Sequence, residues 1–162
     1  MMDAQDGDQQ ALEQLVRRWQ KRLWQHAYRL TADPQAAWDV TQQSWLGILK
    51  GLRKLHDPAR FKAWAYRITT NKAFDWIKKR NARKEIPIES IADPCQQEKP
   101  ERGIRELLQK LDLKKRTVLC LYYYEQLNVA EISVALKVPK GTVKSRLANA
   151  RHELKELWQK NC

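Results

Sequence analysis

The chain has 162 residues, of which 31 are lysine or arginine and 19 aspartate or glutamate, giving a formal net charge of +12. That length holds one ordinary domain or two small ones and excludes a very large fold. Cations spread along the whole chain point to a polyanionic partner, nucleic acid ahead of an anionic membrane surface. No stretch approaches the ~20 apolar residues of a spanning helix, and residues 1–10 are acidic and polar where a signal peptide is basic then apolar; a soluble cytoplasmic protein is expected. Cys95, Cys120 and Cys162 are odd in number and widely spaced, which suggests reduced structural thiols rather than disulfides or zinc. His26, His56 and His152 are equally scattered, so neither a metal nor a cofactor is expected.

Helical periodicity dominates outside the middle of the chain, and only five glycines interrupt it, so the predicted class is all-α. The first helix starts after Gly7 with Asp8 as N-cap, and its core stripe is Leu12, Leu15, Val16, Trp19, Leu23, Ala27 and Leu30. Asp33-Pro34, a cap followed by proline in the first turn, opens a second helix that buries Ala37, Val40, Ser44 and Ile48 and ends near Gly51. The connection Leu55-His56-Asp57-Pro58 leads into a third helix with Phe61, Trp64, Ala65 and Ile68 as its apolar stripe and a more polar continuation. Residues 81–100 lose all period among Pro87, Pro94 and Pro100 and read as a linker, leaving two small helical domains, 1–80 and 101–162.

Beyond the linker, Ile104, Leu107, Leu108 and Leu111 make a short helix, and Asp112 is placed to cap the next, which carries Val118, Leu119, Leu121 and Tyr122. Asn128 and Glu131 form a capping-box pattern ahead of Ile132, Ala135 and Leu136. Lys137-Val138 is a turn, and Pro139 starts a last helix with Val143, Leu147, Ala150, Leu154 and Leu157 inward. Its opposite face then presents Lys140, Lys144, Ser145, Arg146, Asn149, Arg151 and His152. A short helix, a tight turn and a donor-rich helix are the elements of a helix-turn-helix, with cations for phosphate and guanine and amides or hydroxyls for base edges. Paired catalytic carboxylates, a nucleophile with its base, and a phosphate-cradling glycine loop are all missing from the pattern, so no enzyme is expected.

The segment Glu131-Ile132, then Pro139-Lys140-Gly141-Thr142-Val143-Lys144-Ser145-Arg146-Leu147 and Ala150-Arg151, resembles region 4 of extracytoplasmic-function sigma factors. Gly7-Asp8 with Ala11 and Leu15, Asp39-Val40-Thr41-Gln42-Gln43 with Trp45, and Phe61-Lys62-Ala63-Trp64-Ala65-Tyr66-Arg67-Ile68 with Asn71, Ala73 and Asp75 resemble region 2 of the same family. The resemblance spans 7–158 except the linker, and implies a region 2 helical bundle and a region 4 helix-turn-helix.

It implies, further, that Asp39, Gln42 and Gln43 dock on core RNA polymerase. Arg60, Phe61, Lys62, Arg67, Asn71, Lys72 and Asp75 would meet and melt the minus-ten element of promoter DNA, where cations hold phosphate and amides or carboxylates bond an extruded base. Lys140, Thr142, Lys144, Ser145, Arg146, Asn149 and Arg151 would meet the minus-thirty-five element. Such factors are commonly held inactive by an anti-sigma protein; no small-molecule substrate or membrane insertion is implied. The chain departs from the family pattern at Gln43 and Ala36, where acids are common, at Asp112 for proline, at Lys137 for glycine, and at Asn149 for a basic or aromatic residue. A stand-alone helix-turn-helix regulator, dimerising through its N-terminal helices, is the competing expectation.

Overall fold

The computed structural model describes residues 1–83 and 99–161, and every regular element among them is helical. They fall into two compact units, Met1–Ala82 and Arg83–Cys162. The first contains α1 (Met2–Gln5), α2 (Gln9–Thr31), α3 (Pro34–Gly51), two short 3-10 turns (Leu52–Lys54 and Pro58–Arg60) and α4 (Phe61–Ala82). The second contains α5 (Lys99–Lys110), α6 (Leu113–Leu119), a π-helical turn (Cys120–Tyr124), α7 (Val129–Leu136) and α8 (Lys140–Asn161). Most of the expected linker, 84–98, lies outside the described residues. Its two ends are helical: α4 continues through Ala82, and α5 already includes Lys99 and Pro100.

The predicted starts of α2 and α3 are made by local chemistry. Asp8 accepts hydrogen bonds from the backbone N–H groups of Gln10 and Ala11, and Asp33 from those of Gln35 and Ala36, with Pro34 in the first turn. Each cap satisfies donors that the first helical turn leaves open. The short α1 was not foreseen. Its Gln5 side chain donates to the carbonyls of Leu52 and Leu55, at 3.0 and 2.7 Å, and so holds the chain N-terminus to the turn after α3.

In α4 the buried face is Phe61, Ala63, Ala65, Tyr66, Thr69, Thr70 and Ala73, which takes in only half of the predicted stripe of Phe61, Trp64, Ala65 and Ile68. Phe61 and Ala65 are buried, but Trp64 and Ile68 are only half-buried. Two threonines on the core side concealed the true period. Thr69 returns its hydroxyl proton to the Ala65 carbonyl and Thr70 bonds His26, so both are satisfied inside the core and read as polar only in the sequence. Trp64 and Ile68 instead cover α3 at its two glycines. A β-carbon on Gly51 would lie 2.7 Å from the Trp64 ring, and one on Gly47 3.3 Å from Ile68. The glycines, one turn apart, form the notch into which α4 settles.

His26 is fully buried, shares a 2.9 Å hydrogen bond with Thr70 Oγ1 and meets Tyr66 edge-on. Burial, with a smaller contribution from the Arg29 charge, pushes its pKa down from 6.5 to about 3. The folded protein therefore holds a neutral imidazole, while the unfolded chain binds a proton below pH 6.5. Stability attached to this group is present above pH 6.5 and falls as pH drops toward 3, by at most about 1.4 kcal/mol per pH unit. Urea unfolding followed by tryptophan fluorescence between pH 7 and 5 is expected to show this loss, and His26→Gln to flatten it.

The second unit is built around Leu107, Leu108, Leu111, Val118, Leu119, Leu121, Ile132, Val143, Leu147 and Ala150, all buried. Asp112 occupies the position before α6, but its side chain makes no capping hydrogen bond, contrary to the sequence expectation. Lys115 reaches across to Glu153 and ties α6 to α8. Both partners are about a third exposed, so solvent screens the pair and it adds little to stability.

Candidate nucleic-acid interface

The helix-turn-helix assembles from the cap outward. Asn128 Oδ1 accepts from the Glu131 N–H and Glu131 Oε2 accepts from the Asn128 N–H, both at 2.8 Å, which completes the predicted capping box. Lys137 ends α7 in the left-handed region at φ 53°. Ser133 then fastens the turn by donating its hydroxyl to the Val138 carbonyl at 2.6 Å while its own carbonyl accepts the Val138 N–H. A residue with a β-carbon is strained at that φ, and glycine is not. Lys137→Gly is expected to raise stability by up to about 1 kcal/mol, seen as a higher melting temperature, with DNA affinity little changed.

Val143, Leu147 and Ala150 seat α8 in the core. Lys140, Lys144, Ser145 and Asn149 are exposed on its other side, with Thr142 and Arg146 half-exposed. Lys140, Lys144, Arg146 and Asn149 make no hydrogen bond or ion pair with any described residue, so their donors are free for an external acceptor. Ser145 spends its proton on the Gly141 carbonyl at 2.8 Å and can offer a ligand only its lone pairs. Arg151 departs from expectation. Its Nε donates to the Tyr123 hydroxyl and its guanidinium lies over the rings of Tyr122 and Tyr123, at 5.3 and 5.5 Å. The π-helical turn brings these tyrosines up to α8 and engages the cation that the sequence assigned to DNA.

In the first unit, Arg67, Asn71 and Asp75 follow at steps of four and share one outward face of α4, with Asn71 and Asp75 exposed. Lys72 flanks this face. Lys62 does not join it, being about 140° around the helix axis from Arg67. Arg60 stands in the preceding turn beside Asp57, whose carboxylate caps that turn. Phe61, which the sequence places both on the apolar stripe of its helix and on the minus-ten surface, is a core residue: it is 3% exposed and packs edge-on against Trp19, ring centroids 5.3 Å apart.

Asp39, Gln42 and Gln43 are all exposed along α3 and free of hydrogen bonds to the described residues. They lie beside Trp38, Leu46 and Leu49, which are 41%, 54% and 45% exposed. Sequence reasoning missed these three, although a second apolar stripe on a helix whose core stripe is already complete is the pattern that signals an interface. Among the described residues no cluster of His, Cys, Asp or Glu could hold a metal, and no helix is long and apolar enough to cross a membrane.

Sigma-70 region 2 matches residues 15–83 and sigma-70 region 4 matches residues 107–156. The RNA polymerase sigma-E factor of Streptomyces avermitilis is 30% identical to the chain, covering 93% of it and 86% of that protein. The chain belongs to the extracytoplasmic-function sigma factors. Another relative in this family, the ECF RNA polymerase sigma factor SigE of Mycolicibacterium smegmatis, is 28% identical over 96% of the chain, which spans 65% of that protein's length. A solved complex of the sigma factor RpoE with the anti-sigma factor NepR from Bartonella quintana shares the sigma-factor fold, with TM-score 0.81 over 92% of this chain and 97% of that one at 22% identity. In the terms of the family, α2 to α4 form the region 2 unit and α7 and α8 lie within region 4.

Proposed function

We propose that the chain is a promoter-specificity subunit of RNA polymerase. It docks on core polymerase through Asp39, Gln42 and Gln43 of region 2, reads the minus-thirty-five element with Lys140, Thr142, Lys144, Ser145, Arg146 and Asn149, and opens the minus-ten element with Arg60, Arg67, Asn71, Lys72 and Asp75. Lys62 contributes charge at the edge of that surface, and Arg151 contacts phosphate once the tyrosines release it. The observation that carries this reading is the pairing of family regions 2 and 4, in order, with an α8 whose Lys140, Lys144, Arg146 and Asn149 have no partner among the described residues. Its work is binding rather than catalysis, and its place is the cytoplasm, where polymerase and promoter DNA are.

An anti-sigma protein is the expected regulator, as RpoE of Bartonella quintana has NepR. The stand-alone regulator loses its main support, because both family regions, 2 and 4, match the chain in order and the first of them covers the unit that would otherwise serve only to dimerise. Co-migration of the purified chain with core polymerase in gel filtration tests the assignment; a chain that elutes alone at micromolar concentrations would overturn it.

A further inference from the structure

The outward face of α2 carries Arg17, Arg18, Lys21 and Arg22, all exposed. Steps of four place Arg17 beside Lys21 and Arg18 beside Arg22, two like-charge pairs that work against the helix. None of the four forms a hydrogen bond or ion pair with a described residue; Arg22 rests over the Trp19 ring at 5.3 Å. Nothing among the described residues neutralises this charge. It fits an external polyanion.

The flank of that face opens into a cleft of about 380 Å³ lined by Arg17, Gln20, Lys21, Trp24 and Trp38. Trp38 is 41% exposed, and its ring meets Trp24 at 5.6 Å with a tilt of 40°. Trp24 in turn stacks on Tyr28, 5.2 Å away and nearly parallel. The exposed indole therefore stands at the end of a braced aromatic column. Trp24 also keeps its indole N–H buried without a hydrogen-bond acceptor. Two cations one helical turn apart beside such a column offer both halves of nucleotide recognition, charge for the phosphates and a π-face for a base. A duplex hides its base faces by stacking, so the aromatic half selects an unpaired strand.

We propose that α2 and Trp38 form a track for single-stranded DNA, with phosphates on Arg17 and Lys21 and a base against Trp38. The track rests on the promoter-opening reading, which supplies the unpaired strand, and it adds a surface on α2 to those on α4 and α8. A labelled oligothymidylate strand, alone or annealed to its complement, is titrated into the full chain while anisotropy and tryptophan emission are followed. The strand is expected to bind more tightly than the duplex and to quench emission. Trp38→Ala, and Arg17→Gln with Lys21→Gln, are each expected to weaken strand binding about tenfold, with the double variant also flattening the salt dependence by about 1.4 in log–log slope.

Unchanged strand affinity in both variants, or equal loss for strand and duplex, overturns the track. So does competition by free thymidine monophosphate as effective as that by the strand, which would mean a mononucleotide pocket. Loss of core-polymerase binding in Trp38→Ala with strand affinity intact would instead assign the cleft to protein docking. Run-off transcription by core polymerase with the wild-type chain, measured alongside, separates failure of the track from failure of the promoter-opening reading.

Discussion

Replacing Lys144 and Arg146 together by alanine is expected to weaken binding of polymerase carrying this chain to its minus-thirty-five element by at least about thirtyfold. A cation reading a base edge contributes roughly 1–3 kcal/mol, and two add when they touch different bases. Neither side chain is needed for folding. Val143, Leu147 and Ala150 hold α8 in the core, while Lys144 and Arg146 make no hydrogen bond or ion pair with a described residue. Electrophoretic mobility shifts over a salt series separate the two roles that a cation can have. Removing a base reader alters preference among upstream sequences, whereas removing a phosphate-binding cation weakens all sequences alike and lowers the salt slope by about 0.9 for each phosphate left unneutralised. Arg151→Ala is expected to cost less than Arg146→Ala, because Tyr122 and Tyr123 compete with DNA for its guanidinium.

Asp39→Arg combined with Gln42→Ala is expected to weaken core-polymerase binding by about two orders of magnitude, without unfolding region 2. Both residues are exposed, and surface changes of this kind usually shift stability by no more than about 0.5 kcal/mol. In the proposed complex the same carboxylate is desolvated against core polymerase. Reversing its charge then sets two like charges against each other, and disrupting a buried charge pair costs roughly 2–5 kcal/mol. Circular dichroism should be unchanged while co-migration with core is lost. Wild-type binding by this double variant would move the docking surface away from α3.

Much of the fold was legible because its signals are local. A cap is a side chain bonding to backbone two or three residues away, so Asp8, Asp33-Pro34 and the Asn128–Glu131 box could be read directly. The inward stripes of α3 and α8 were equally plain, since only Thr41 and Ser44 intrude on them, and their hydroxyls turn back to the Ala37 and Val40 carbonyls. The α4 face failed for the opposite reason. Buried threonines mask its period, and its outer aromatic and aliphatic residues cover a glycine notch in another helix. Arg151 failed on range, as no pattern in α8 announces a tyrosine 28 residues earlier in the chain. At the candidate sites the charged and amide residues could be named from the sequence, but the exposure of Trp38, Leu46 and Leu49 could not, because exposure of an apolar side chain depends on how neighbouring helices pack.

Run-off transcription bears most directly on the assignment. Core polymerase is incubated on genomic fragments with and without the purified chain, and start sites are mapped. Initiation at discrete positions only when the chain is present is the expected result, with the starts sharing upstream sequence that the Lys144 and Arg146 variant no longer uses. A chain that binds these fragments tightly on its own yet leaves core polymerase silent on all of them would contradict the account.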